Sequence, residues 1–130
     1  MLKFTPKANC KQIPPETALP LWEEIMSTVP LFKKGPIPKT IEWKWEFNGK
    51  TYHAHKIREE ADGYVNDRYY SKTTEFMYVT TIHGSLIFEF LVEGFSSFNP
   101  ETSKYDVTKT AQAQTTLPLK DLLYWRLRKK

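Results

Sequence analysis

The sequence predicts an α+β fold, with one N-terminal helix packed on a curved antiparallel sheet of about five strands. Three features carry that expectation. An apolar stripe at helical spacing runs through Trp22, Ile25, Met26 and Val29. Strict apolar/charged alternation over 41–47 leads into Asn48-Gly49, the strongest short hairpin signal. Two further alternating stretches follow, at 75–93 and 105–117. A chain of 130 residues with 40% hydrophobic, 15% aromatic and 26% charged content is of globular composition and can bury one core without staples. The expected organisation is a flexible N-terminal arm over 1–14 and a single α+β domain over 15–130.

Residues 1–14 show no sustained periodicity, and Pro14-Pro15 stops any regular structure begun there. The helix is expected from about Pro20 to Val29. Pro20 is tolerable in a first turn, Glu23 and Glu24 suit the N-terminal end, and Pro30 closes it. Three prolines and a glycine in 30–38 make an extended connector.

A two-residue Asn48-Gly49 turn places Trp45 opposite Tyr52, Trp43 opposite Ala54 and Glu42 opposite His55. One face then carries Ile41, Trp43, Trp45, Phe47, Tyr52 and Ala54, and the other carries Glu42, Lys44, Glu46, His53 and His55. Residues 59–74 read as a polar loop, with turns at Ala61-Asp62-Gly63 and Asn66-Asp67 and a short strand near 68–72.

A second hairpin turns at His83-Gly84. With Ile82 opposite Ser85, Met77, Val79, Leu86, Phe88, Phe90 and Val92 share a face. Both faces are partly apolar, the mark of a covered central strand. Residues 94–103 read as a loop. A threonine-rich strand near an edge follows over 105–117, and Leu119, Leu122, Leu123 and Leu127 then suit a short C-terminal helix, with a strand extension over 122–127 as the equal alternative. The order helix, hairpin, hairpin, strand is similar to the general plan of cystatin-like and NTF2-like cones, a likeness that implies architecture and no activity.

Cys10 is the single cysteine, so neither an internal disulfide nor a zinc cluster is expected. The most apolar stretch, 86–92, is broken by Glu89 and is far short of the about 20 residues a membrane span needs. Lys3 and Lys7 are basic, but Phe4-Thr5-Pro6 is no apolar h-region, so a signal peptide is not expected. The expectation is a cytoplasmic protein with no membrane role. The net charge of +4 sits at the ends: Lys3, Lys7 and Lys11 in the arm, and Lys120, Arg126, Arg128, Lys129 and Lys130 against Asp121 at the C-terminus. The body between holds 11 basic against 14 acidic residues.

Three constellations bear on function. Basic ends combined with Arg68, Tyr69, Tyr70 and Lys72 suit single-stranded nucleic acid, which stacks its bases on exposed aromatics flanked by cations. The site expected for that role is Arg68, Tyr69, Tyr70, Lys72, Arg126, Arg128, Lys129 and Lys130. His53 and His55 with Glu42 offer two imidazoles and a carboxylate on one strand face, a donor set for a divalent metal, although cross-strand charge pairing accounts for the same residues. Glu89 is either a buried carboxylate or a solvent-facing one at a gap in the cover of the sheet, and the second is preferred. No nucleophile elbow, phosphate-binding glycine loop or zinc-protease motif occurs. No cofactor is implied, and binding is preferred to catalysis. The leading function is a non-catalytic nucleic-acid-binding module. The alternatives are a protein-interaction module acting as a homodimer or adaptor, and a small pocket-containing protein or enzyme.

Overall fold

The computed structural model describes residues 3–30, 38–122 and 125. In chain order the elements are β1 (Lys11–Ile13), α1 (Pro15–Met26), β2 (Thr40–Phe47), β3 (Lys50–Val65), β4 (Arg68–Thr81), β5 (Leu86–Asn99) and β6 (Lys104–Thr115). They make a mostly antiparallel α+β structure, in which one short helix packs on an open sheet of six strands. The order is β1-β6-β5-β4-β3-β2, so five strands form a meander and β1 adds to its end. No helix among the described residues is long and apolar enough to cross a membrane.

The first hairpin has the expected register, with Trp45 opposite Tyr52, Trp43 opposite Ala54 and Glu42 opposite His55. Asn48 and Gly49 have φ of 55° and 80°, the paired left-handed conformation that lets a two-residue turn match the twist of its strands. Trp43, Phe47, Tyr52 and Ala54 are buried as a consequence.

The helix starts and ends earlier than the stripe at 22–29 suggests. Pro15 opens it, because a proline in the first turn loses a donor that had no partner. Ala18, Leu21, Trp22 and Ile25 are its buried residues. Beyond Met26 the chain tightens, as Thr28 N–H donates to the Ile25 carbonyl and Val29 N–H to that of Met26. Trp22 meets Phe90 edge-on at 5.7 Å, and Trp43 Nε1 donates to Thr28 Oγ1 at 2.7 Å. Trp125 fills the rest of this layer, stacked on Phe47 at 4.1 Å and edge-on to Phe88 at 4.9 Å. Residues 121, 122 and 125 are helical, with Leu122 and Trp125 buried.

The second hairpin departs from the expected pairing by one bulge. Thr81 Oγ1 accepts from the N–H groups of His83 and Ser85, and Thr81 N–H donates to the Ser85 carbonyl. That tight turn shifts the register between Val79 and Thr80. Val79 still faces Phe88 and Met77 faces Phe90, all four fully buried, while Leu86 leaves the core.

The N-terminal segment is tied down where it is described. Lys11, Gln12 and Ile13 pair with Thr115, Gln114 and Ala113, a strand absent from the sequence reading of 1–14. Glu89 is buried, 2% exposed, contrary to the preference for solvent. The N-terminal segment supplies the cover, with Lys7 Nζ at 2.8 Å from Glu89 Oε1. Gln114 completes the network: its Nε2 donates to Glu89 Oε1 at 2.8 Å and to the Thr5 carbonyl at 2.9 Å, and its Oε1 accepts from Lys7 N–H at 2.9 Å.

The larger surprise is strand length. Residues 59–65 and 94–99, read as loops, continue β3 and β5. The Asn66-Asp67 turn, with φ of 53° and 64°, joins β3 to β4 as a second two-residue hairpin.

Candidate interaction surface

Element lengths create the site. α1 has 12 residues, about 18 Å at 1.5 Å per residue. β3 has 16 residues, about 53 Å at 3.3 Å per residue. The helix therefore roofs one end of the sheet. Burial follows that boundary: in β6 the residues from Ala111 to Thr115 are mostly buried and those from Lys104 to Thr110 are exposed. A buried ion pair between Lys56 and Glu75 marks the limit of the core. Lys109 reaches back to Glu23 of the helix at 3.7 Å.

Beyond that limit, β3 to β6 present two faces that no element among the described residues covers. The pleat sorts their side chains by parity. On the helix side, register brings Tyr64 opposite Tyr69, then Phe98 opposite Tyr105. The pairing of Tyr70 with Ser97 makes Tyr69 and Phe98 neighbours on the inner strands. One aromatic from each of four adjacent strands thus forms a row across the sheet. Tyr64 and Tyr69 meet edge-on at 5.6 Å, as do Phe98 and Tyr105 at 5.3 Å. Tyr64 is 73% exposed and Tyr105 54%. The Tyr69 phenol is held protonated above its ordinary range, first by desolvation and then by its hydrogen bond to Asp62. Ser71, Thr73 and Ser96 lie between the row and the core.

The opposite face is built differently. Gly63 lies under the Tyr70 ring, so that a Cβ there would meet the phenol at 2.9 Å. Tyr70 in turn stacks on Phe95 at 5.5 Å. Arg68 Nε donates to the Phe98 carbonyl at 2.8 Å, and its Nη2 lies 3.5 Å from Asp106. Lys72 lies 3.5 Å from Glu93.

The four residues singled out from sequence within 68–72 are therefore divided. Tyr69 lies on the helix-side face, whereas Arg68, Tyr70 and Lys72 lie on the other and are engaged with neighbouring strands. Arg126, Arg128, Lys129 and Lys130 fall outside the described residues. Tyr64, Phe98 and Tyr105 complete the row that the sequence reading missed. Shared parity across two hairpins would have found them, had 59–65 and 94–99 been read as strand.

His53, His55 and Glu42 do share a face. Glu42 bridges the imidazoles, with Oε1 at 3.1 Å from His53 Nε2 and Oε2 at 3.9 Å from His55 Nδ1. Among the described residues no group of three or more His, Cys, Asp or Glu side chains is arranged to hold a metal ion. Cross-strand charge pairing is what the geometry supports there. A shallow cleft lined by Ile25, Thr28, Trp45, Phe47 and Trp125 opens at the covered end of the sheet, with no titratable cluster at its mouth beyond Glu24 and Glu46.

No family model, no curated protein and no solved structure matches the chain.

Proposed function

We propose that the chain is a non-catalytic protein-interaction module, binding through the half of its sheet that the helix leaves bare. The row Tyr64, Tyr69, Phe98 and Tyr105 is the observation that carries this reading. Exposed aromatics on a rigid sheet give large contact area at small entropic cost, and tyrosine is enriched where proteins meet. The charges named around the row lean acidic: Arg58 pairs with Glu60 at 2.6 Å, and Asp62 is a second acid next to Tyr69. Such a face suits a protein partner better than a polyanion.

Single-stranded nucleic acid is the second reading. It draws on the basic C-terminus at 126–130 and on Tyr69 as a stacking ring. The ion pairs Arg68–Asp106 and Lys72–Glu93 weigh against it, since those cations are already partnered by acids.

Two measurements on the full chain separate the readings. A photo-crosslinking residue at position 64, in the cells that make the protein, is expected to give a discrete protein adduct that disappears in Tyr69→Ser/Phe98→Ser. A labelled single-stranded oligonucleotide at low salt is expected to show no saturable binding. Saturable binding that weakens steeply with salt and is lost on removing 126–130 replaces this reading with the nucleic-acid one.

A further inference from the structure

We infer that the bare half-sheet also joins a second copy of this chain, strand to strand along residues 104–110 of β6. The inference goes beyond the interaction reading above, because pairing at this edge leaves the aromatic face itself open to its partner. Among the described residues, β6 is paired on its outer side only where β1 meets Ala113, Gln114 and Thr115. Residues 104–110 pair with β5 on one side, and among the described residues no strand lies on the other. All seven are exposed, with Val107 at 68%. This length of edge contains no proline, and the one register shift in the sheet lies elsewhere. An edge of this kind is a template for another strand.

Symmetry and charge select the pairing. A two-fold axis normal to the sheet keeps like faces together, so residues of equal parity oppose one another. Placing Asp106 on the axis sets two carboxylates face to face, and placing Lys104 there sets two ammonium groups face to face. Placing Val107 on the axis avoids both. Val107 then meets Val107, Asp106 meets Thr108, and Tyr105 meets Lys109, whose ammonium can lie over the ring. Seven residues pair in this register and no like charges are directly opposed. The other long edge without a partner strand among the described residues, 59–65 of β3, carries Glu59, Glu60 and Asp62 and repels its own copy. The product is a closed dimer with one continuous sheet, and each aromatic row ends at the new junction.

Sedimentation velocity on the full chain across a wide concentration range tests this, with Val107→Lys and Thr108→Asp as variants, the first setting two ammonium groups and the second two carboxylates face to face. Both positions are exposed, so neither change disturbs the monomer core. The wild-type chain is expected to move from 15.3 kDa to twice that mass with rising concentration. Each variant is expected to weaken the association at least tenfold with an unchanged circular dichroism spectrum. A wild-type chain that stays monomeric overturns the inference, as does a dimer unaffected by either substitution or an assembly that grows without limit. In the first case an adduct to a different protein at position 64 leaves the interaction reading standing, and its absence removes both.

Discussion

Lys7 Nζ lies 2.8 Å from Glu89 Oε1, across 82 residues of sequence. The carboxylate side chain is 3% exposed and the ammonium side chain 41%, so one partner depends on the other far more than the reverse. Lys7→Met leaves a buried carboxylate with only Gln114 as donor. The expected cost is about 1–2 kcal/mol by urea denaturation, at the low end for a lost charged partner because water reaches the ammonium. Glu89→Gln in the same background is expected to recover most of it, since a neutral amide needs no counter-charge.

The same pair sets a pH dependence. The Lys7 pKa is raised from 10.5, chiefly by its hydrogen bond to Glu89. Burial raises the Cys10 thiol from 9.0 and the Tyr52 phenol from 10.0. All three groups hold their protons more tightly folded than unfolded. Their contribution is fully present below those ordinary values and is lost as pH rises through the folded ones. The urea midpoint is therefore expected to fall in the alkaline range, and Lys7→Met to fall less steeply than wild type. Equal slopes would show that the Lys7–Glu89 bond contributes nothing.

Gly63 and Tyr70 give a second test. Gly63→Ala drives a methyl group into the phenol, which must leave its stack on Phe95. The change is expected to cost about 1 kcal/mol. In a Tyr70→Ala background the penalty should vanish, and a double-mutant cycle reads that coupling directly.

At the hairpin between β3 and β4, Asp67 adopts φ of 64°, the conformation that Gly49 supplies in the first hairpin. Asp67→Gly is expected to stabilise by about 0.5–1 kcal/mol, because glycine reaches that region without a Cβ clash. A loss of stability would mean that the Asp67 side chain holds the turn.

Trp125 stacks on Phe47 at 4.1 Å and is 5% exposed. Trp125→Ala is expected to cost about 3–5 kcal/mol, the range for emptying a large aromatic site. A loss below about 1 kcal/mol would mean that the C-terminus does not belong to the core.

The first hairpin was legible because alternation and Asn48-Gly49 agree, so one register satisfied both. The hydrophobic middle of the second hairpin was legible for the same reason, except at Leu86, where side-chain bonds to Thr81 chose a different turn. The outer half of the sheet was hidden. Glu59, Glu60, Asp62 and Gly63 are poor strand formers, and they are held by pairing with 70–74 and by the Tyr70 ring rather than by propensity. Residues 94–99 carry Gly94, two serines and Asn99, which read as loop, yet β4 pairs with 94–97 and β6 with all six. Glu89 was hidden because its cover comes from Lys7, far away in sequence. The aromatic row depended on all of this, since Tyr64 and Phe98 sit in the stretches that local pattern assigned to loops.

Amide hydrogen exchange over 94–99, followed residue by residue in dilute protein, bears most directly on whether the sheet runs past its helix. An inner strand paired on both sides over 94–97 should keep those amides protected to a degree comparable with 88–92. Exchange at the rate of an open loop would remove the strand, the aromatic row and the binding face together.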